Sequence, residues 1–191
     1  IKDIIAEGGK VVVWAVFIKT IETLAKYLKS VGIETRLLYG STPVASDDMT
    51  EEDESFENTR EGIIKEFHKA DSSFSVIIAN PFAVAESISL HKVCHNAIYI
   101  ERSFNCAHFI QSKDRIHRYG LKENVVTKYY YILSEDSIDQ TIDTRLHIKE
   151  NRMIALTEAS DIPLFDNLGD EGDEDVKAII SDYVKRKNKQ V

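Results

Sequence analysis

The sequence predicts an α/β protein in which helices cover both faces of a largely parallel sheet, in three layers. Two observations carry that reading. Short β-branched and aromatic runs alternate along the chain with segments whose apolar residues recur at helical spacing. The first such run, "KVVVWAVF" at 10–17, is apolar throughout, as in a strand buried on both faces rather than one. With 191 residues, 43% of them hydrophobic, the chain can bury one sizeable core.

The elements follow in order. After the strand at 10–17, Ile18–Ser30 sets Ile21, Leu24, Ala25 and Leu28 on one helical stripe, and Gly32 is its stop signal. "TRLLY" at 35–39 reads as a second strand, closed by the turn "GSTP" at 40–43. Residues 46–57 carry almost no apolar side chain and read as a solvated acidic loop insertion. A helix at 60–70 groups Ile63, Ile64 and Phe67; strands follow at 74–79, "FSVIIA", and 96–101, "NAIYIE". The rest reads as a helix at 107–119, a strand at 125–133 and a long helix at 136–157 with Ser134 as N-cap. Residues 1–158 are expected to form one domain, and 159–191, acidic and then basic, a charged tail or linker.

The net charge of −8 argues against a nucleic-acid partner only if it is spread evenly, and it is not. One acidic cluster runs through 47–57 and another through 166–175, whereas 111–122 leans basic. No apolar run approaches the roughly 20 residues of a membrane span, so no membrane partner is expected. The first residues lack the pattern of a signal peptide, and their start at a residue other than Met suggests a piece of a longer protein. Cys94 and Cys106 match no metal spacing, and His91, His95 and His108 complete no tetrahedral set with Cys94. Reduced thiols, an intracellular compartment and no metal site are the expectation. No glycine-rich phosphate loop occurs, so in handling a nucleotide the chain would supply only part of the site.

One stretch raises that possibility. In "QSKDRIHRYG" at 111–120, a continuous helix would put Gln111, Arg115 and Arg118 within about 60° of one another, with Phe109 and Ile116 nearly opposite. Solvated surface arginines would look the same, as would guanidiniums aimed at phosphate, whose oxygens match their rigid fork. Spacing alone leaves both readings open.

Neighbouring segments add a resemblance. "QSKDRIHRYG" resembles motif VI of superfamily-two helicases in its Swi/Snf-like form, and "IERSFNCAHFIQ" resembles the segment that precedes it, with Glu101, Phe104 and Asn105 at the matching places. Residues 10–42 are similar to motif IV with its helix and G-S-T turn, 60–67 to the following helix, and "VIIANPFAVAESISL" to motif V. Motif V departs from the usual glycine-rich pattern, with Ala83 to Leu90 reading "AVAESISL".

The resemblance implies the second, RecA-like lobe of a DNA-dependent ATPase, a helicase or translocase. ATP and Mg²⁺ would be held mainly by an N-terminal RecA-like lobe of the same polypeptide. Arg115 and Arg118 would be arginine fingers on the γ-phosphate, with Gln111, Glu86 and Ser87 also on the nucleotide side. Ser41, Thr42, Asn80 and Ser89 would touch DNA, expected as duplex. The chain alone would then hydrolyse no ATP. The compartment would be the cytoplasm of a bacterium or the nucleus of a eukaryote. The competing expectation is a degenerate, non-catalytic lobe kept as a DNA-binding or protein-docking scaffold.

Overall fold

The structure is a computed structural model that describes residues 1–84, 88–121, 124–158 and 171–189. Its strands are β1 (Val11–Trp14), β2 (Thr35–Leu38), β3 (Val76–Ala79), β4 (Asn96–Tyr99) and β5 (Lys128–Tyr131). Its helices are α1 (Lys2–Ala6), α2 (Ile18–Ser30), α3 (Arg60–His68), α4 (Pro81–Val84), α5 (Cys106–Lys113), α6 (Ile138–Glu158) and α7 (Glu171–Lys189). The strands form one sheet in the order β2-β3-β1-β4-β5, every pair parallel. The expected α/β architecture is therefore present.

The apolar run at 10–17 becomes the central strand because only a strand with a neighbour on each edge and a layer on each face can bury every side chain. All four residues of β1 have zero exposure. One face of the sheet gathers Val11, Val13, Val76, Ile78 and Ile98 against Ile21 and Leu28 of α2. The other is aromatic: Trp14, in register with Tyr99, lies 6.5 Å from it, and Tyr99 lies 5.2 Å from Tyr131. Phe109 of α5 meets Tyr99 edge-on at 5.4 Å, an arrangement favoured by the ring quadrupoles. The chain steps outward from β1 to β2 and back to β3, so right-handed crossovers put α2 and α3 on opposite faces. That reversal makes the carboxyl ends of the strands beside β1 the place where such sheets bind ligands.

Several boundaries differ from expectation. β1 stops at Trp14, and Phe17, expected in the strand, is 65% exposed and caps α2 in extended conformation. Gly32 lies one residue beyond the cap Val31, at φ +79°. There the Ile33 N–H reaches the Leu28 carbonyl (2.9 Å) and the Gly32 N–H reaches that of Lys29 (3.1 Å), a Schellman stop. α6 starts at Ile138 because Asp136 adopts φ +49°, outside any helix; the cap is Ser137, whose hydroxyl accepts from the Asp139 N–H, and not Ser134.

The acidic insertion at 46–57 is mostly exposed, as expected, but it is anchored. Glu51 pairs with Lys65, and the Ala45 N–H donates to Glu61 (2.8 Å). Its last turn, Phe56–Asn58, packs onto α3 at Gly62, where a Cβ would stand 2.0 Å from the Phe56 carbonyl oxygen.

The described chain forms two compact units, Ile1–Glu101 with His108–Ile132, and Arg102–Ala107 with Leu133–Val191. The second holds α6 and α7. The stretch 159–191, expected as a tail or linker, contains α7 over Glu171–Lys189; the remainder of it lies outside the described residues. Charged pairs tie α7 to α6. Arg145 bonds Asp175 (2.9 Å) and Glu174 (3.0 Å), and Lys149, 6% exposed, bonds Asp175 (2.7 Å) and the Phe104 carbonyl (3.1 Å). Arg102 pairs with Asp143 in the same unit (2.5 Å). Cys94 and Cys106 are buried thiols, and burial pushes Cys94 up to about 12. No helix among the described residues is long and apolar enough to cross a membrane.

Candidate nucleotide-facing segment

The segment expected as one helix is split. α5 ends at Lys113, so Gln111 is helical and half-buried, whereas Arg115 and Arg118 lie beyond the helix in consecutive turns. The single helical face predicted for the three residues does not exist. A tertiary bond explains the break. In a helix continued to Tyr119, the Arg115 carbonyl would accept from the Tyr119 N–H; here it accepts from the Leu90 N–H at 2.9 Å. Bonds from Arg115 N–H to Ser112 and from Ile116 N–H to Lys113, each 3.3 Å, tighten the last turn, and Ile116 drops into the core at zero exposure. Beyond it, Gly120 adopts φ +93°, which helical geometry forbids.

The side chain of Arg115 repeats the connection made by its backbone. It is 7% exposed and its Nη1 donates to the Ile88 carbonyl at 3.0 Å, so backbone and guanidinium both hold the segment after α4. Arg118 is exposed. Together with His91, Asp114, His117 and Tyr119 the two arginines line an open cleft of ≈ 600 Å³. The imidazole of His91 bonds the Ser89 hydroxyl (2.9 Å), and its pKa is lowered by burial first and by the nearby Arg118 charge second. His117 is exposed.

The other expected contact residues divide. Ser41 is exposed at its turn. Thr42, 9% exposed, donates its hydroxyl to the Leu37 carbonyl (3.1 Å) and accepts from the Tyr39 N–H (3.0 Å), so its one O–H donor is committed within the turn. Asn80 is an N-cap followed by proline: its Oδ1 accepts from the Phe82 N–H (2.8 Å), while Nδ2 donates to the Val16 carbonyl (2.7 Å). Ser89 is half-buried against His91. Glu86 and Ser87 lie outside the described residues.

Glu101 has a role that spacing alone does not indicate. One carboxylate oxygen accepts from the Val16 (3.0 Å) and Phe17 (2.9 Å) N–H groups, and the other accepts from the Thr20 hydroxyl (2.6 Å). The turn into a helix N-terminus beside the central strand is where α/β sheets commonly hold a phosphate. Here the protein's own carboxylate fills it. The sequence signals are an acidic residue just past a buried strand and its place in the segment "IERSFNCAHFIQ".

An all-parallel α/β sheet of this order, with an arginine-bearing segment after its fourth strand and its own carboxylate at the phosphate position, is a RecA-like lobe. The chain belongs to the helicase conserved C-terminal domain family, matched over residues 1–120, as a superfamily-two C-terminal lobe of Swi/Snf-like type. It is 26% identical over 147 residues to Switch 2 of Arabidopsis thaliana, covering 76% of this chain and 15% of that protein. It is 28% identical over 153 residues to the ATP-dependent helicase fft3 of Schizosaccharomyces pombe, covering 80% and 14%. The crystal structure of the C-terminal part of the Fun30 ATPase domain superposes with a TM-score of 0.60 at 25% identity, over 75% of this chain and 41% of that one. The chain thus spans about one seventh of the length of these curated relatives.

Proposed function

We propose that the chain is the second motor lobe of an ATP-dependent DNA helicase or translocase. In this reading it completes the ATP site of an N-terminal RecA-like lobe of the same polypeptide. Arg118 reaches the γ-phosphate as an arginine finger. Arg115 works beside it, joining the finger's turn to the segment at 88–90, and Gln111, Glu86 and Ser87 face the nucleotide. ATP and Mg²⁺ are held mainly by the first lobe, since this one has no phosphate loop and fills its own helix-terminus position with Glu101. Duplex DNA is contacted from the Gly40–Thr42 turn, principally by Ser41, and from Asn80 and Ser89.

The observation that carries this reading is the exposed Arg118 on a turn fixed at both ends. Leu90 holds it at Arg115, and an Arg118–Leu121 backbone bond of 3.3 Å closes its far side. Fixing the backbone there limits where the exposed guanidinium can reach, and a positive charge so placed can stabilise charge developing on a phosphate. The relatives fit, one being an ATP-dependent helicase and another an ATPase domain by name.

The test is steady-state ATP hydrolysis by the polypeptide carrying both lobes, with and without duplex DNA, wild type against Arg118→Ala. DNA-stimulated turnover that falls by about 10³-fold in the variant supports the finger. Turnover indifferent to Arg118 overturns it in favour of a docking scaffold. The chain alone is expected to hydrolyse nothing.

A further inference from the structure

Tyr119 is the most exposed large apolar side chain among the described residues, at 107% of its reference area. The other aromatic residues nearby do not behave this way. Tyr99, Phe109 and Tyr131 pack on one another, and Tyr129 lies under Lys113 with its hydroxyl on the Lys113 carbonyl. Tyr119 stands instead on the wall of the cleft, between Arg118 and Gly120. Its turn is closed by the Leu121 N–H on the Arg118 carbonyl, and Gly120 at φ +93° carries the backbone away from the helix path. An aromatic ring kept in water on a fixed turn beside two arginines calls for a ligand with both a charged end and a flat one.

We propose that Tyr119 is the residue with which this lobe holds the base of the nucleotide, its ring stacking on the purine of the ATP whose phosphates Arg118 reaches. The proposal rests on the reading above and adds the recognition of the base to it. Phosphate recognition needs charge and donors, which Arg118 supplies; it gives no use for a π-face. A base offers one. A nucleic-acid strand also carries bases, but its backbone demands a track of positive charge, and the described lining of this cleft sets Asp114 beside its two arginines. A single nucleotide, with its phosphates gathered at one end, fits an aromatic residue next to an arginine better.

The experiment measures ATP hydrolysis by the two-lobe polypeptide, at saturating DNA and across a DNA titration, for wild type, Tyr119→Ala and Tyr119→Phe, with magnesium tripolyphosphate as a base-free competitive inhibitor. Base stacking of this kind is worth roughly tenfold or more in affinity. Tyr119→Ala should therefore raise KM for ATP about tenfold with kcat retained, Tyr119→Phe should match wild type, and the tripolyphosphate inhibition constant should not move. An unchanged KM in Tyr119→Ala overturns the proposal. So does equal weakening of ATP and tripolyphosphate, which means general damage to the cleft. A shift confined to the DNA concentration giving half-maximal stimulation assigns the ring to nucleic acid and also overturns it. Failure of the finger reading appears separately, as unchanged kcat in Arg118→Ala.

Discussion

At the scale of single residues, the tightest constraint is at Gly62 rather than in the cleft. Thr59, 1% exposed, caps α3 by accepting from the Gly62 N–H (3.1 Å) and donates to the Phe56 carbonyl (2.7 Å), drawing the end of the acidic insertion onto the helix. A Cβ at position 62 would meet that carbonyl oxygen at 2.0 Å and its carbon at 2.8 Å, both backbone atoms with nowhere to go. Gly62→Ala should cost about 2 kcal/mol or more despite improving helix propensity. Urea unfolding tests this: a midpoint equal to or above that of wild type would show that the insertion is not docked there. Thr42 and Asn80 illustrate the same principle, since their polar atoms close a turn and cap α4 before any ligand is considered.

At the scale of elements, α5 and α7 are the two that differ most from the pattern of their sequence. The 3.6-residue pattern through 107–119 is real, and Phe109 and Ile116 are buried on it, yet the helix stops at Lys113. The bonds from Leu90 and to Ile88 come from a strand connection more than twenty residues away, which no local window contains. α7 lacks a strong apolar signal because much of its docking is ionic. Asp175 is shared by Arg145 and Lys149, both largely shielded from water. Removing one member of such a set leaves the others buried and uncompensated. Asp175→Asn is therefore expected to destabilise the α6–α7 pairing by about 3 kcal/mol. Hydrogen exchange in α7 should accelerate while the β1 amides stay protected, and unaltered protection of α7 would refute the clasp.

For the whole molecule, acid sensitivity follows from two histidines. Burial depresses the pKa of His95, and burial with the Arg118 charge depresses that of His91. A base whose folded pKa lies below its unfolded value binds fewer protons in the native state, so its contribution is complete at neutral pH. That contribution is lost as pH falls from about 6.5 through the folded pKa. The urea midpoint should drop between pH 7.5 and 5.5, and His95→Gln should flatten the drop. A midpoint constant over that range would contradict both shifts.

The sequence by itself determined a largely parallel sheet, a first strand buried on both faces and most of the order of helices and strands, because burial on both faces and helical periodicity are local, composition-driven signals; the helicase C-terminal family was legible separately, in the resemblance of its motifs. It also marked Arg115 and Arg118 as the pair of interest. Only the tertiary structure decided that one of them is buried against the Ile88 carbonyl and the other exposed. The same holds for Glu101 across the start of α2, and for the anchoring of the acidic loop through a glycine. Each is a hydrogen bond or close approach between residues far apart in the chain. Which distant carbonyl meets which donor is set by the packing of the sheet and its connections, and the residue types alone do not encode it.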